Sequence, residues 1–358
     1  MRNVPGAAAA IALAALPLAG CAASAPKPAA AAPAAPGPAA ATPARFAAAV
    51  QAKPDVTIVV TDSGLGGLSV AADLASRLPA SGIARRVRVV FVNALLDDAI
   101  GYNDLKDEAD KVRVFDAALA AMESRYHPDL ILVACNTLSV FYGKTEHARK
   151  GGTETVSIVP MGADLIVEGL RKTPGATAMI FATKGTIDSG AHRRLLVEKG
   201  VPDAKIVGEP CPRLTGSIER GAHSEETAGR IRDFVTEALG KLPDRKGPIV
   251  VSLNCTHFGY ARPLWEEAFE SLGFPAVRVL DPNPLMTDLV LREGGARRYP
   301  ETKVTVEVVS KTPITEAVKS ALGGLLRETS PATADALASY ALVPDLFHVE
   351  IAPSALVR

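Results

Sequence analysis

Short apolar runs rich in β-branched residues alternate with longer amphipathic stretches along this chain. Runs over 56–61, 87–93, 130–133, 177–182, 206–207, 249–251, 276–280 and 304–309 are the right length for strands. Their near-continuous apolarity is that of parallel strands buried on both faces. The stretches between them carry helical periodicity. In 107–126, Val112, Phe115, Leu119 and Met122 form one apolar stripe, which is core rather than a cofactor surface. Further helices are expected over 191–199, over 225–239, from about Arg262, and over 315–327. Strand and helix in regular alternation predict an α/β fold with doubly wound parallel sheets.

Two of the runs end in a polar break that contains a cysteine, Ala134-Cys135-Asn136-Thr137 and Asn254-Cys255-Thr256-His257. Ligands and reacting groups collect at the carboxyl ends of the strands in such sheets, so Cys135 and Cys255 are the first candidates for chemistry. Three other strand exits are also polar. Asp62-Ser63-Gly64-Leu65-Gly66-Gly67-Leu68-Ser69 turns from a strand into a helix, 97–104 contains Gly101-Tyr102-Asn103, and 183–190 is rich in hydroxyls and glycine. The glycine loop lacks the P-loop lysine and the dinucleotide spacing, which argues against phosphate; its free amides could hold a carboxylate.

The 358 residues allow two domains and a sizeable core. The 39 basic and 39 acidic side chains cancel, which removes any electrostatic reason to expect nucleic acid. The start of the chain is different in kind. Arg2 precedes an Ala/Leu-rich stretch over 7–18, long enough for a signal-peptide core and too short to span a bilayer. It ends in Leu18-Ala19-Gly20-Cys21, which resembles a lipoprotein lipobox with Cys21 as the lipidated residue. The alternative is an ordinary secretory peptide cut near 22–24. Alanine and proline then dominate 22–41, as in a stiffened tether. The expectation is a signal peptide over 1–20, a tether over 21–52, and a lipid anchor through Cys21 at the periplasmic face of a bacterial membrane, the outer membrane.

Three cysteines remain, too few to pair completely, so a disulfide framework explains them poorly. They are scattered, with no CxxC, and His257 is the only histidine close to one, which argues against zinc. Prolines flank Cys211, which reads as structural, and Lys184 reads as a solvated loop residue.

Taken in order, Asp62-Ser63-Gly64-Leu65-Gly66-Gly67-Leu68-Ser69-Val70, Ala134-Cys135-Asn136-Thr137, Ala182-Thr183-Lys184-Gly185-Thr186-Ile187-Asp188-Ser189-Gly190, Cys211-Pro212 with Glu219-Arg220-Gly221, and Cys255-Thr256-His257 resemble the motifs of glutamate racemase, in the cofactor-independent aspartate/glutamate racemase superfamily. The likeness runs over about 56–326. It implies two pseudo-symmetric doubly wound domains with the active site in the cleft between them. The first would hold 53–155 and 260–326, the second 156–259, with 327–358 as a C-terminal extension.

The implied reaction is amino-acid racemisation, most simply L-glutamate to D-glutamate, without pyridoxal or metal. Inverting an α-carbon needs one group to take a proton and another to deliver one on the opposite face, a task for a thiolate and a thiol. The resemblance gives Cys135 the D-enantiomer's proton and Cys255 the L-enantiomer's, with Asp62 and His257 as their respective helpers. It gives Ser63, Gly101, Tyr102, Asn136, Thr137, Thr186 and Thr256 to substrate binding. Asp62 could instead cap a helix and His257 could pack locally. The chain departs from the family where Gly101-Tyr102-Asn103 stands for Pro-Tyr-Gly, and where Phe258-Gly259-Tyr260 follows His257. An aspartate or broader racemase, a single-thiol enzyme of the superfamily, and a non-catalytic amino-acid-binding lipoprotein are the alternatives. Oligomeric state is open on the sequence.

Overall fold

The computed structural model describes residues 44–356 apart from 99, 243, 245, 246 and 276, and these residues fall in one compact unit. The signal peptide, Cys21 and most of the expected tether lie outside the described residues. The tether ends earlier than expected. Residues Ala44–Ala52 form a helix whose Phe46 and Val50, one turn apart, are fully buried. Arg298 closes that helix by donating to the carbonyls of Gln51 and Lys53, at 3.1 and 3.3 Å.

The strands are β1 Asp55–Asp62, β2 Arg86–Asn93, β3 Leu130–Val133, β4 Thr155–Ser157, β5 Thr177–Ala182, β6 Ile206–Pro210, β7 Ile249–Asn254, β8 Arg278–Leu280, β9 Lys303–Ser310 and β10 Ala341–Leu342. They make two parallel sheets, ordered β10-β9-β2-β1-β3-β4 and β6-β5-β7-β8. The α/β architecture of two parallel-sheet domains read from the sequence is therefore present. In each sheet the order reverses beside a central strand, which opens a crevice at the carboxyl edge.

Helices cover both faces of each sheet. On the first, Ile58, Val60 and Phe91 pack with the helix Leu68–Ser81, while Val59, Val90 and Ile131 pack with Glu108–Tyr126. On the second, Phe181 packs at a tilt against Trp265 with ring centroids 4.6 Å apart, and Phe258 lies 5.5 Å from the same indole. Burying each such ring stabilises by about 1.5–3 kcal/mol. The cluster has a local purpose, because Phe258 anchors the turn that directly follows His257.

The return to the first sheet falls later than the expected 260. β8 pairs with β7, Val251 opposite Val279, so the chain stays on the second sheet to Leu280. Nor is 327–358 a separate extension. β10 adds to β9, and Leu337, Leu346 and Phe347 are buried in the cores of the first sheet.

Candidate active site

The strand exits singled out in the sequence converge. Asp62 ends β1, Cys135 follows β3, Thr183 follows β5 and Cys255 follows β7. Between them lies a cavity of about 260 Å³, lined by both cysteines and by residues from both sheets. This volume is near the lower end for ligand pockets, about 300–1,000 Å³, and suits a small metabolite. Asp62, Ser63, Gly101, Tyr102, Asn136, Thr137, Thr256 and His257 also line it. Thr186 does not. It lies behind the wall, with its hydroxyl 3.2 Å from that of Thr137 and 3.0 Å from that of Thr183. Thr137 and Thr183, 2.9 Å apart, complete a triangle of hydroxyls that links the two halves.

Each thiol has its own surroundings. The Ser63 hydroxyl is 3.1 Å from Cys135 Sγ. Burial pushes the Cys135 thiol well up, and the negative charge of Asp62 adds to this; the Ser63 bond opposes both without overcoming them. Cys135 thus holds its proton. Cys255 Sγ lies 3.9 Å from Nδ1 of His257, whose Nε2 is 2.8 Å from Glu219 Oε1. Burial alone would pull the His257 imidazole down, but Cys255 and the Glu219 carboxylate more than offset it and raise it well above its ordinary value. Burial likewise works to raise Glu219, and the bond from His257 brings it below the usual carboxylate range. The result is an imidazolium held between a carboxylate and a sulfur.

Asp62 touches the opposite half. It accepts the Thr256 hydroxyl at 2.6 Å, and the helix after it starts from Gly67 with no side-chain cap. Gly66 makes this closeness possible. A Cβ there would sit 2.3 Å from Thr256 Oγ1 and 2.7 Å from the His257 backbone nitrogen. The glycine loop is therefore shaped by contact between the halves.

Both ends of the Asn136 amide and the Tyr102 hydroxyl are buried in the cavity wall with no protein partner. Buried polar groups are almost always paired, so these point to a ligand with polar groups of its own. Cys211 lies outside the cavity, buried with its Sγ 3.6 Å from the Glu209 carbonyl oxygen, and burial raises its thiol. Lys184 is exposed and bonded to Asp188. Among the described residues, no three His, Cys, Asp or Glu side chains form a ligand set for a metal.

Sequence reasoning gave no role to Asn103, Thr183, Thr215, Gly216, Glu219 or Asn254, all of which line the cavity. Asn103, Thr183, Glu219 and Asn254 stand inside the segments singled out above. Glu219 lies 38 positions from His257, and only the fold pairs them.

No family model matches the chain. It is similar to the glutamate racemase of Chlorobaculum tepidum, with 24% identity over 265 residues, covering 72% of this chain and 89% of that one. The glutamate racemase of Lactiplantibacillus plantarum is 29% identical over 225 residues, covering 62% and 72%. Among solved structures, the glutamate racemase of Francisella tularensis subsp. tularensis in complex with D-glutamate superposes with a TM-score of 0.58 at 20% identity, covering 77% of this chain and 95% of that one. That likeness concerns the fold.

Proposed function

We propose that this chain, which belongs to the glutamate racemase branch of the aspartate/glutamate racemases, interconverts L- and D-glutamate by passing a proton between Cys135 and Cys255. That it is an amino-acid racemase agrees with its curated relatives, which are glutamate racemases. The two-thiol route is supported by one observation above all: both sulfurs border the same cavity, each with a different partner.

In the L-to-D direction, Cys255 acts as a thiolate and takes the α-proton. The C–H bond breaks, an S–H bond forms, and the electron pair is delocalised into the substrate carboxylate. The Cys135 thiol then gives its hydrogen to the opposite face. The resting protonation of Cys135 suits this donor role. The Glu219 carboxylate helps to hold a positive charge on His257 beside Cys255. Ser63, Asn136, Thr137 and Thr256 supply the hydrogen bonds that orient the amino acid, and tight orientation is worth several orders of magnitude in rate.

Export is part of the proposal. Arg2, the 7–18 run and Leu18-Ala19-Gly20-Cys21 support a lipoprotein at the periplasmic face. There it would exchange free amino acids for salvage or supply of D-forms. Chiral chromatography of L-glutamate and L-aspartate incubated with protein starting at Ala44 tests the function. Conversion of glutamate is expected. Saturable binding without conversion would support a binding lipoprotein instead, and faster turnover of aspartate would reassign the substrate.

A further inference from the structure

The end of the chain, beyond the region that carries the resemblance, lies against the loop that forms one wall of the cavity. Val343, Leu346 and Phe347 are buried in the core beside Glu108–Tyr126. Lys311 Nζ sits 5.1 Å from the Phe347 ring and donates to the Leu96 carbonyl at 2.6 Å. Arg113 then donates to the Glu350 carbonyl at 3.0 Å. Leu356 forms an antiparallel bridge with Leu105, and the Lys106 amide donates to the Ala355 carbonyl at 2.8 Å. Lys106 Nζ reaches the Ser354 carbonyl at 2.9 Å.

The other side of the same loop is tied across the cavity. Asn103 Oδ1 accepts the Gly185 amide of the second half at 3.2 Å. Gly101, Tyr102, Asn103 and Asp104 of this loop all stand in the cavity wall. Inside the loop, one turn is closed by the Gly101 amide on Asp104 Oδ2 at 2.8 Å. Such a loop, with much of its backbone at the surface, is the kind of element that opens locally unless held from outside.

We propose that residues 343–356 act as a positioning strap, which holds the 101–106 loop so that Asn103 meets Gly185 and Tyr102 keeps its place in the wall, and which thereby sets substrate affinity. The effect on affinity rests on the reading of the cavity as an amino-acid site. The strap's own division of labour makes it testable. Val343, Leu346 and Phe347 serve folding, whereas Ser354, Ala355 and Leu356 clamp the loop.

Deleting 352–358 from the full chain removes the clamp and keeps the buried anchors. KM is expected to rise about five-fold, the ratio given by one net hydrogen bond, with kcat within about two-fold. Backbone amide exchange over 101–106 is expected to quicken. Asn103→Ala in the full chain is expected to raise KM as well, and to add little in the deletion background, since both act on one loop. Unaltered exchange over 101–106 overturns the strap whatever the activity. Unaltered KM in an active enzyme overturns its effect on affinity. A full chain without racemase activity refutes the reading of the site, and the exchange measurement still decides the strap.

Discussion

Thr256 donates its hydroxyl hydrogen to Asp62 across 2.6 Å, and both residues are buried. The bond joins the loop after Cys255 to the end of β1, one residue before Ser63, whose hydroxyl meets Cys135. The surroundings of the two thiols are thus in direct mechanical contact. Asp62→Asn keeps an acceptor for Thr256 but removes the charge beside Cys135. It is expected to lower kcat/KM at least about ten-fold while stability changes little. Asp62→Ala leaves the Thr256 hydroxyl unpaired and is expected to destabilise by about 1–3 kcal/mol in urea unfolding. Equal stability loss in both variants would contradict this separation.

The Glu219–His257 pair sets a pH window. His257 is raised in the fold, so its contribution is complete below its ordinary 6.5 and is lost as pH climbs through the raised value. Glu219 is lowered, so its contribution is complete above its ordinary 4.5 and is lost as pH falls through the lowered value. The stability difference between the native chain and Glu219→Gln is therefore expected to be greatest from about pH 4.5 to 6.5 and to shrink on either side. The alkaline limb of kcat/KM should move to lower pH in Glu219→Gln, because the imidazolium loses its carboxylate. A parallel drop at every pH would contradict the pairing.

Gly66 and Gly229 are expected to respond in opposite directions to alanine. A Cβ at Gly66 meets a backbone nitrogen that cannot turn away, and overpacking of this kind costs about 1–3 kcal/mol. Gly66→Ala should also reduce turnover, since the displaced groups belong to Thr256 and His257. At Gly229, inside the helix Glu225–Gly240, a Cβ meets nothing within 4 Å. Gly229→Ala should stabilise by up to about 1 kcal/mol with activity unchanged. Thermal unfolding and initial rates on the two proteins check both.

For the start of the chain, Cys21→Ser is expected to move the protein from the membrane fraction to the soluble periplasmic fraction. Retention in the membrane fraction would refute lipidation at that residue.

What the sequence made legible follows from local physics. Short β-branched runs such as Ile58-Val59-Val60 and Ile249-Val250-Val251 favour buried strands, and a polar break after such a run points to the sheet edge where sites collect. β4 and β10 escaped because strands of three and two residues, with Val156 alone buried in one and none in the other, carry no period. β8 was expected as a strand, but nothing in Arg278–Leu280 says which sheet it joins; its pairing with β7 decides that. Phe46 and Val50, four apart in an alanine-rich segment, were the available signal for the first helix. Both cysteines stood out at polar strand exits, whereas Asp62 and His257 were singled out only by the resemblance; all four line one cavity. Glu219 and Asn103 act through partners distant in sequence, Gly185 being 82 positions from Asn103, and needed the fold.

Isomerisation of L-glutamate in deuterium oxide tests the proton transfer between Cys135 and Cys255 most directly. With two separate groups, D-glutamate formed early should carry deuterium at the α-carbon while the remaining L-glutamate keeps its hydrogen, and Cys135→Ser and Cys255→Ser should each reduce turnover by about 10²–10⁴-fold. Early deuterium in substrate and product alike, or full turnover in either serine variant, would contradict it.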